Sequence, residues 1–270
     1  MKKYKFVICA VAAACLLGLA AFSVYHIYDH YAQLEEQTEN FEEIAEIVEQ
    51  APDDEPVPED VPVSEGEDVL AKYKELYLQN EDMVGWISID GTTINYPVMQ
   101  TKDNPNYYLK RNFEKEYSDL GTPYIQEDCD LLTSDNLIIY GHHISGNRMF
   151  GALEDYKSKS FYEEHKTIHF DTLTQQGEYE IVAVFKTVAY SSEGFRYYDF
   201  VHAESEEEFN AYVETCRGLA LYDTGVTASL VLISAIQNLL SQKFCGQVIS
   251  AALPPPQACH WQRSIRRWRV

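Results

Sequence analysis

An unbroken run of uncharged residues, Phe6 to Tyr25, constrains this chain more than any other stretch. It is 20 residues long and built mostly from Ala, Val, Leu, Ile and Phe. As a helix rising about 1.5 Å per residue it matches the roughly 30 Å hydrocarbon core of a bilayer. Lys2, Lys3 and Lys5 precede the run, and basic flanks stay on the cytoplasmic side. Residues 1–5 are therefore expected to be a cytoplasmic tail and 6–25 a single-pass transmembrane anchor, with the remainder outside the cell. A cleaved signal peptide is the competing reading, because Ala20-Ala21-Phe22 is rich in small residues. The run is long for a signal core, which favours the uncleaved anchor. Cys9 and Cys15 lie inside it and serve as small apolar residues.

Residues 26–68 read as a stalk. Leu34, Phe41, Ile44 and Ile47 recur about one turn apart in an acidic helix over 26–50. The following APDDEPVPEDVPVSEGED, residues 51–68, is Pro-rich and acidic and cannot bury a core. The formal charge of −22 excludes nucleic acid as a partner, since a phosphate backbone would be repelled. With 46% hydrophobic and 13% aromatic residues, a sizeable core can form beyond the stalk.

That core domain spans 69–226. Val69, Leu70, Tyr73, Leu76 and Tyr77 have helical spacing. From Val84 to Val98 the pattern alternates around Asp90-Gly91, a hairpin signal. Further β-like runs lie at Thr122–Ile125, Leu137–Tyr140, Thr167–Phe170 and Tyr179–Tyr190. Ser205 and Glu208 form a capping box ahead of Phe209, Tyr212, Val213 and Cys216 on one helical face. The expectation is a mainly β core, a closed barrel or a sandwich, with peripheral helices.

Chemistry concentrates in Asn136-Leu137-Ile138-Ile139-Tyr140-Gly141-His142-His143, an apolar strand ending in a Gly and two imidazoles. A histidine at a strand terminus can exchange a proton near neutral pH, although two loop histidines making ordinary hydrogen bonds would look the same. His165 and His169 have a zinc-like spacing, but Ile168 and Phe170 alternate with them as in a strand. Asp128, Asp130 and Asp135 lack the calcium-loop pattern. Cys129 and Cys216 read equally as a disulfide or as free thiols.

The stretch GWISIDGTTINYPVMQTKDNPNYYLKRNF, the segment Leu120–Ile125 and NLIIYGHHISGNRMFGALEDYKS resemble, in order, the opening, an inner strand and the catalytic-histidine strand of class B sortases. The helix from Ser205 to Arg217 also fits that family. The resemblance runs from about Leu70 to Val226. It implies an eight-stranded closed β-barrel with N-terminal helices, and a cysteine transpeptidase that needs no metal or cofactor. In that chemistry a Cys thiolate attacks a carbonyl in a C-terminal sorting signal of a secreted protein. An amine of a peptidoglycan precursor or a pilin then resolves the thioester. The family histidine carries over to His142, with His143 its neighbour.

One region departs. All 43 acidic residues fall at or before Asp223, while the last 47 positions hold none. The family Cys closes a Thr-Leu-Ser-Thr-Cys strand, with an Arg about ten residues on. Here the overlay puts Ile236 at the Cys position, within Leu232-Ile233-Ser234-Ala235-Ile236-Gln237, and no Arg occurs between Arg217 and Arg263. Residues 227–270 therefore read as an aberrant segment whose final strands are in doubt. Three accounts stand open: a shifted reading frame near Thr227, a sortase relative kept as a binding module, or an enzyme using Cys245 or Cys259. Those two thiols sit in no recognisable motif, and the basic run Arg263–Arg269 could touch anionic wall polymers.

Overall fold

The computed structural model describes residues 2–51, 69–187, 194–227, 232–238 and 246–252. Two compact units are present, Met1–Glu43 and Ile44–Val270. Helix α1 (Lys2–Gln50) is one continuous element. No Pro interrupts the helix anywhere along it. Phe6, Leu17 and Tyr25 on this helix are exposed. It is the one helix among the described residues long and apolar enough to cross a membrane. Most of the Pro-rich linker, residues 52–68, lies outside the described residues.

The second unit is mainly β, as its alternating segments imply. Its strands are β1 (Met83–Ser88), β2 (Asn95–Met99), β3 (Tyr124–Ile125), β4 (Asn136–Ile144), β5 (Arg148–Met149), β6 (Thr167–Thr172), β7 (Glu178–Thr187), β8 (Leu232–Asn238) and β9 (Gly246–Ala252). They form one sheet in the order β3-β2-β1-β6-β7-β9-β8-β4-β5, and β3 pairs with β4 as well. The hairpin β1–β2 is antiparallel, and its turn places Gly91 at φ +74, a conformation that favours glycine. Strand β4 is buried on both faces, with the 3₁₀ segment Phe150–Lys157 packed against it. This double burial explains why Leu137–Tyr140 is continuously apolar rather than alternating.

Among the described residues the unit also holds the helices α2 (Ala71–Gln79), α3 (Lys159–Glu164) and α4 (Glu206–Leu219). In α4 the Ser205 hydroxyl accepts from the Glu208 amide at 3.2 Å. The Glu208 carboxylate reaches back to the Glu204 amide at 2.7 Å, one residue earlier than the capping box predicts. Phe209, Tyr212, Val213 and Cys216 are buried, as their spacing implies.

The doubt over the final strands is corrected. Strands β8 and β9 both form: β9 pairs antiparallel with β7 and with β8, and β8 runs parallel to β4. Backbone groups make these bonds, so an uncharged segment completes the ladder without the family's side chains.

A buried charge ties α2 to the sheet. The Asp171 carboxylate on β6 accepts from Lys72 Nζ at 2.7 Å, from the Tyr73 hydroxyl at 2.6 Å and from the Gly177 amide at 3.1 Å. Removing one member of a buried network strands the others. Asp171→Ala is expected to lower unfolding stability by about 3 kcal/mol, measured by urea denaturation. A loss below about 0.5 kcal/mol would show that the network is not a structural tie.

Candidate functional site

Strand β4 delivers the histidines to its end. The Phe150 ring lies against Gly141 so closely that a Cβ there would sit 2.5 Å from its Cδ2 atom. Only glycine permits this approach, and it sets the path of the strand just before His142. His142 is 4% exposed. Its Nε2–H donates to the Leu109 carbonyl at 2.5 Å, and Nδ1 is buried too. Tyr108, Leu109, Thr122, Tyr124 and Tyr140 line a narrow crevice with it. Tyr124 and Tyr140 contact each other with ring centroids 5.5 Å apart, and their hydroxyls donate to Asn106 at 2.8 Å and to Gln126 at 2.5 Å.

The opposite edge of β4 faces β8. In the parallel register Tyr140 stands opposite Ile236 and His142 opposite Asn238. The backbone position at which the overlay expects a nucleophile is therefore two register steps from His142, on the adjacent strand.

His143 has a different setting. It is half-buried at the β4–β5 hairpin, opposite Met149. Burial, together with the positive charges of Lys157 and Lys186, lowers its affinity for a proton below that of an ordinary histidine.

The remaining predicted residues lie elsewhere. His165 Nδ1 lies 2.8 Å from the Asp90 carbonyl, and His169 on β6 lies 3.6 Å from the Asp90 carboxylate. The pair thus holds the β1–β2 turn. Asp130 accepts from the Leu132 and Thr133 amides at 3.0 and 3.1 Å, and Asp135 accepts from Ala203 at 2.8 Å, so both fasten loops. Cys129 and Cys216 are both buried and are not joined to each other in a disulfide. Burial, foremost, pushes the Cys129 thiol up to about 12, which suppresses thiolate and nucleophilicity. Cys245, Cys259 and Arg263–Arg269 lie outside the described residues. A cleft of about 1040 Å³ is lined by Lys72, Trp86, Asp90, His169, Asp171 and Glu178, among others, and does not include His142.

No family model matches the chain. Two curated relatives do: sortase B of Staphylococcus aureus, 32% identical over 165 residues, and sortase B of Listeria monocytogenes, 31% identical over 167. These matches cover 61% and 60% of this chain, and 65% and 64% of the relatives. The chain thus spans just under two thirds of their length. Among solved structures, Bacillus anthracis sortase B in complex with AAEK1 superposes with a TM-score of 0.68 and 27% identity, over 83% of this chain and 98% of that one. A Staphylococcus aureus sortase B–substrate complex gives 0.68 and 25%, with the same coverages. The chain is thus similar to class B sortases in sequence and in fold. The sortase resemblance read from residues 70–226 is thereby shown by sequence and by fold.

Backbone contacts were beyond sequence reasoning: the Leu109 carbonyl carries no side-chain signal. Gly141 could have been singled out, since a glycine inside an otherwise apolar strand marks a close approach.

Two expectations follow. Gly141→Ala overpacks the Phe150 contact and is expected to cost about 2 kcal/mol of stability, read by thermal unfolding. Maleimide at pH 8 is expected to leave Cys129 and Cys216 unmodified in the folded chain, where both are buried and burial suppresses the Cys129 thiolate. Both should label in concentrated urea, and peptide mass mapping distinguishes the two states. Labelling of Cys129 in the folded chain would contradict its burial.

Proposed function

We propose that this chain represents a class B sortase, a cysteine transpeptidase that cleaves C-terminal sorting signals. It would transfer the acyl group to an amine of the cell wall or of a pilin. The observation that carries the reading is the parallel pairing of β4 with β8, which brings the end of the histidine strand beside the strand position of Ile236. With a cysteine at that position, a thiolate would attack the sorting-signal carbonyl and expel the downstream amine. His142 would protonate that amine as it leaves, and an Arg would stabilise the oxyanion. The incoming amine would then displace the thiol. The β3–β4 pairing supports reading the sheet as the family's eight-stranded closed barrel. The apolar run in α1, preceded by lysines, supports a cell-membrane anchor with a cytoplasmic N-terminus, the catalytic domain facing outward and secreted proteins as substrates.

An isoleucine supplies no nucleophile, so the chain as written cannot form the acyl-enzyme at residue 236. The abrupt end of acidic residues at Asp223 favours a shifted frame near Thr227, which also accounts for the simultaneous loss of Cys and Arg. The second reading is an inactive, membrane-anchored sorting-signal binder, favoured by the completed β8–β9 pair.

Resequencing from the codon of Asp223 separates the two readings. A frame encoding a Cys-terminated strand followed by an Arg supports the enzyme. Independently, Ile236→Cys in the full chain is expected to gain a covalent acyl adduct with sorting-signal peptides, seen by intact mass. The adduct should fall at least about tenfold with His142→Ala, the usual lower bound for losing a general acid or base being about a hundredfold on rate. If the variant forms no adduct and the chain as written binds no such peptide, both readings fail.

A further inference from the structure

The contact at His142 is built from beneath by a turn remote in sequence. We propose that the main-chain carbonyl of Leu109, aimed by the left-handed turn at Gly121, is a positioning group that holds His142 in its Nε2–H form. Nδ1 is then the nitrogen that takes up and returns the proton. This inference rests on the reading of His142 as the proton-transfer residue.

The carbonyl has little freedom. It belongs to the 3₁₀ turn Tyr107–Lys110, and Tyr108 within that turn is completely buried. The Tyr108 phenol donates to Asp82 at 2.7 Å and accepts from Asn80 at 2.9 Å, while Asn80 also donates to the Phe113 carbonyl at 2.6 Å. Above the turn, the Thr122 amide donates to the Tyr108 carbonyl at 3.0 Å. Gly121 has φ +62, and a Cβ on it would lie 2.7 Å from the Leu109 oxygen and 2.8 Å from the Tyr108 oxygen. The Ser118 hydroxyl accepts from the Leu120 and Gly121 amides at 3.1 and 3.2 Å, fixing that corner.

A carbonyl can only accept, and a neutral imidazole carries one N–H. A contact of 2.5 Å to the Leu109 oxygen therefore selects the tautomer with the proton on Nε2. The imidazolium keeps the same bond, so the ring can charge and discharge at Nδ1 without turning over. Gly121 touches neither the ring nor a reacting atom. It acts through the carbonyl it leaves room for.

The test is a two-bond proton–nitrogen correlation on the full chain in detergent micelles, labelled with ¹⁵N-histidine, with His142 assigned by its loss in His142→Gln. The parent chain is expected to show His142 as a single Nε2–H tautomer. In Gly121→Ala the minor tautomer should rise about fivefold, as expected for losing one hydrogen bond. Gly177→Ala, which crowds a turn elsewhere, should leave the ring as in the parent; its Cβ would sit 2.7 Å from the Phe170 carbonyl. A dominant Nδ1–H form, an even mixture in the parent, or an unchanged ring in Gly121→Ala overturns the proposal. If Gly121→Ala does not fold, the parent spectrum still decides the tautomer. Gly121→Asn then tests the turn, because Asn accepts a left-handed φ while still adding a Cβ. No peptide enters the measurement, so its outcome is independent of whether sorting signals bind.

Discussion

Strand β4 is hydrogen-bonded on both sides and buried on both faces. Its antiparallel partner β3 and its parallel partner β8 fix its lateral position. The segment after β5 caps one face, and a glycine lets an aromatic ring of that segment press on the backbone. A strand so confined cannot shift by one residue without moving its apolar side chains to the wrong face and breaking two ladders at once. The location of His142 is inherited from that confinement, and the histidine needs no special feature of its own to be placed.

Much of this was legible in the residues. The hairpin around Asp90-Gly91, the capped helix behind Ser205 and the apolar run of β4 each carry a local signal of period, turn or cap, and each forms where the signal lies. The continuity of α1 past residue 25 was less legible, because a change from apolar to acidic composition looks like a boundary although the backbone has no reason to stop. The short α3 and the 3₁₀ turns were missed: their stability comes from packing rather than from repeating patterns.

The candidate site divides along the same line. His142 could be singled out because an imidazole after an apolar strand and a glycine is a side-chain pattern. Its contact with Leu109 could not, since it belongs to the backbone of a turn 33 residues upstream. The β4–β8 register was likewise invisible, because parallel pairing between distant segments leaves no mark on either sequence beyond its being uncharged and β-compatible.

The pairing of β8 and β9 with their neighbours carries a consequence at the level of the cell. Proteases and chaperones that inspect a newly exported protein respond to open backbone and to naked apolar surface. They do not test for a thiol. A chain whose last strands complete the sheet would pass that inspection whatever side chains those strands carry. Surveillance that reads only shape is blind to which side chains the completed strands carry.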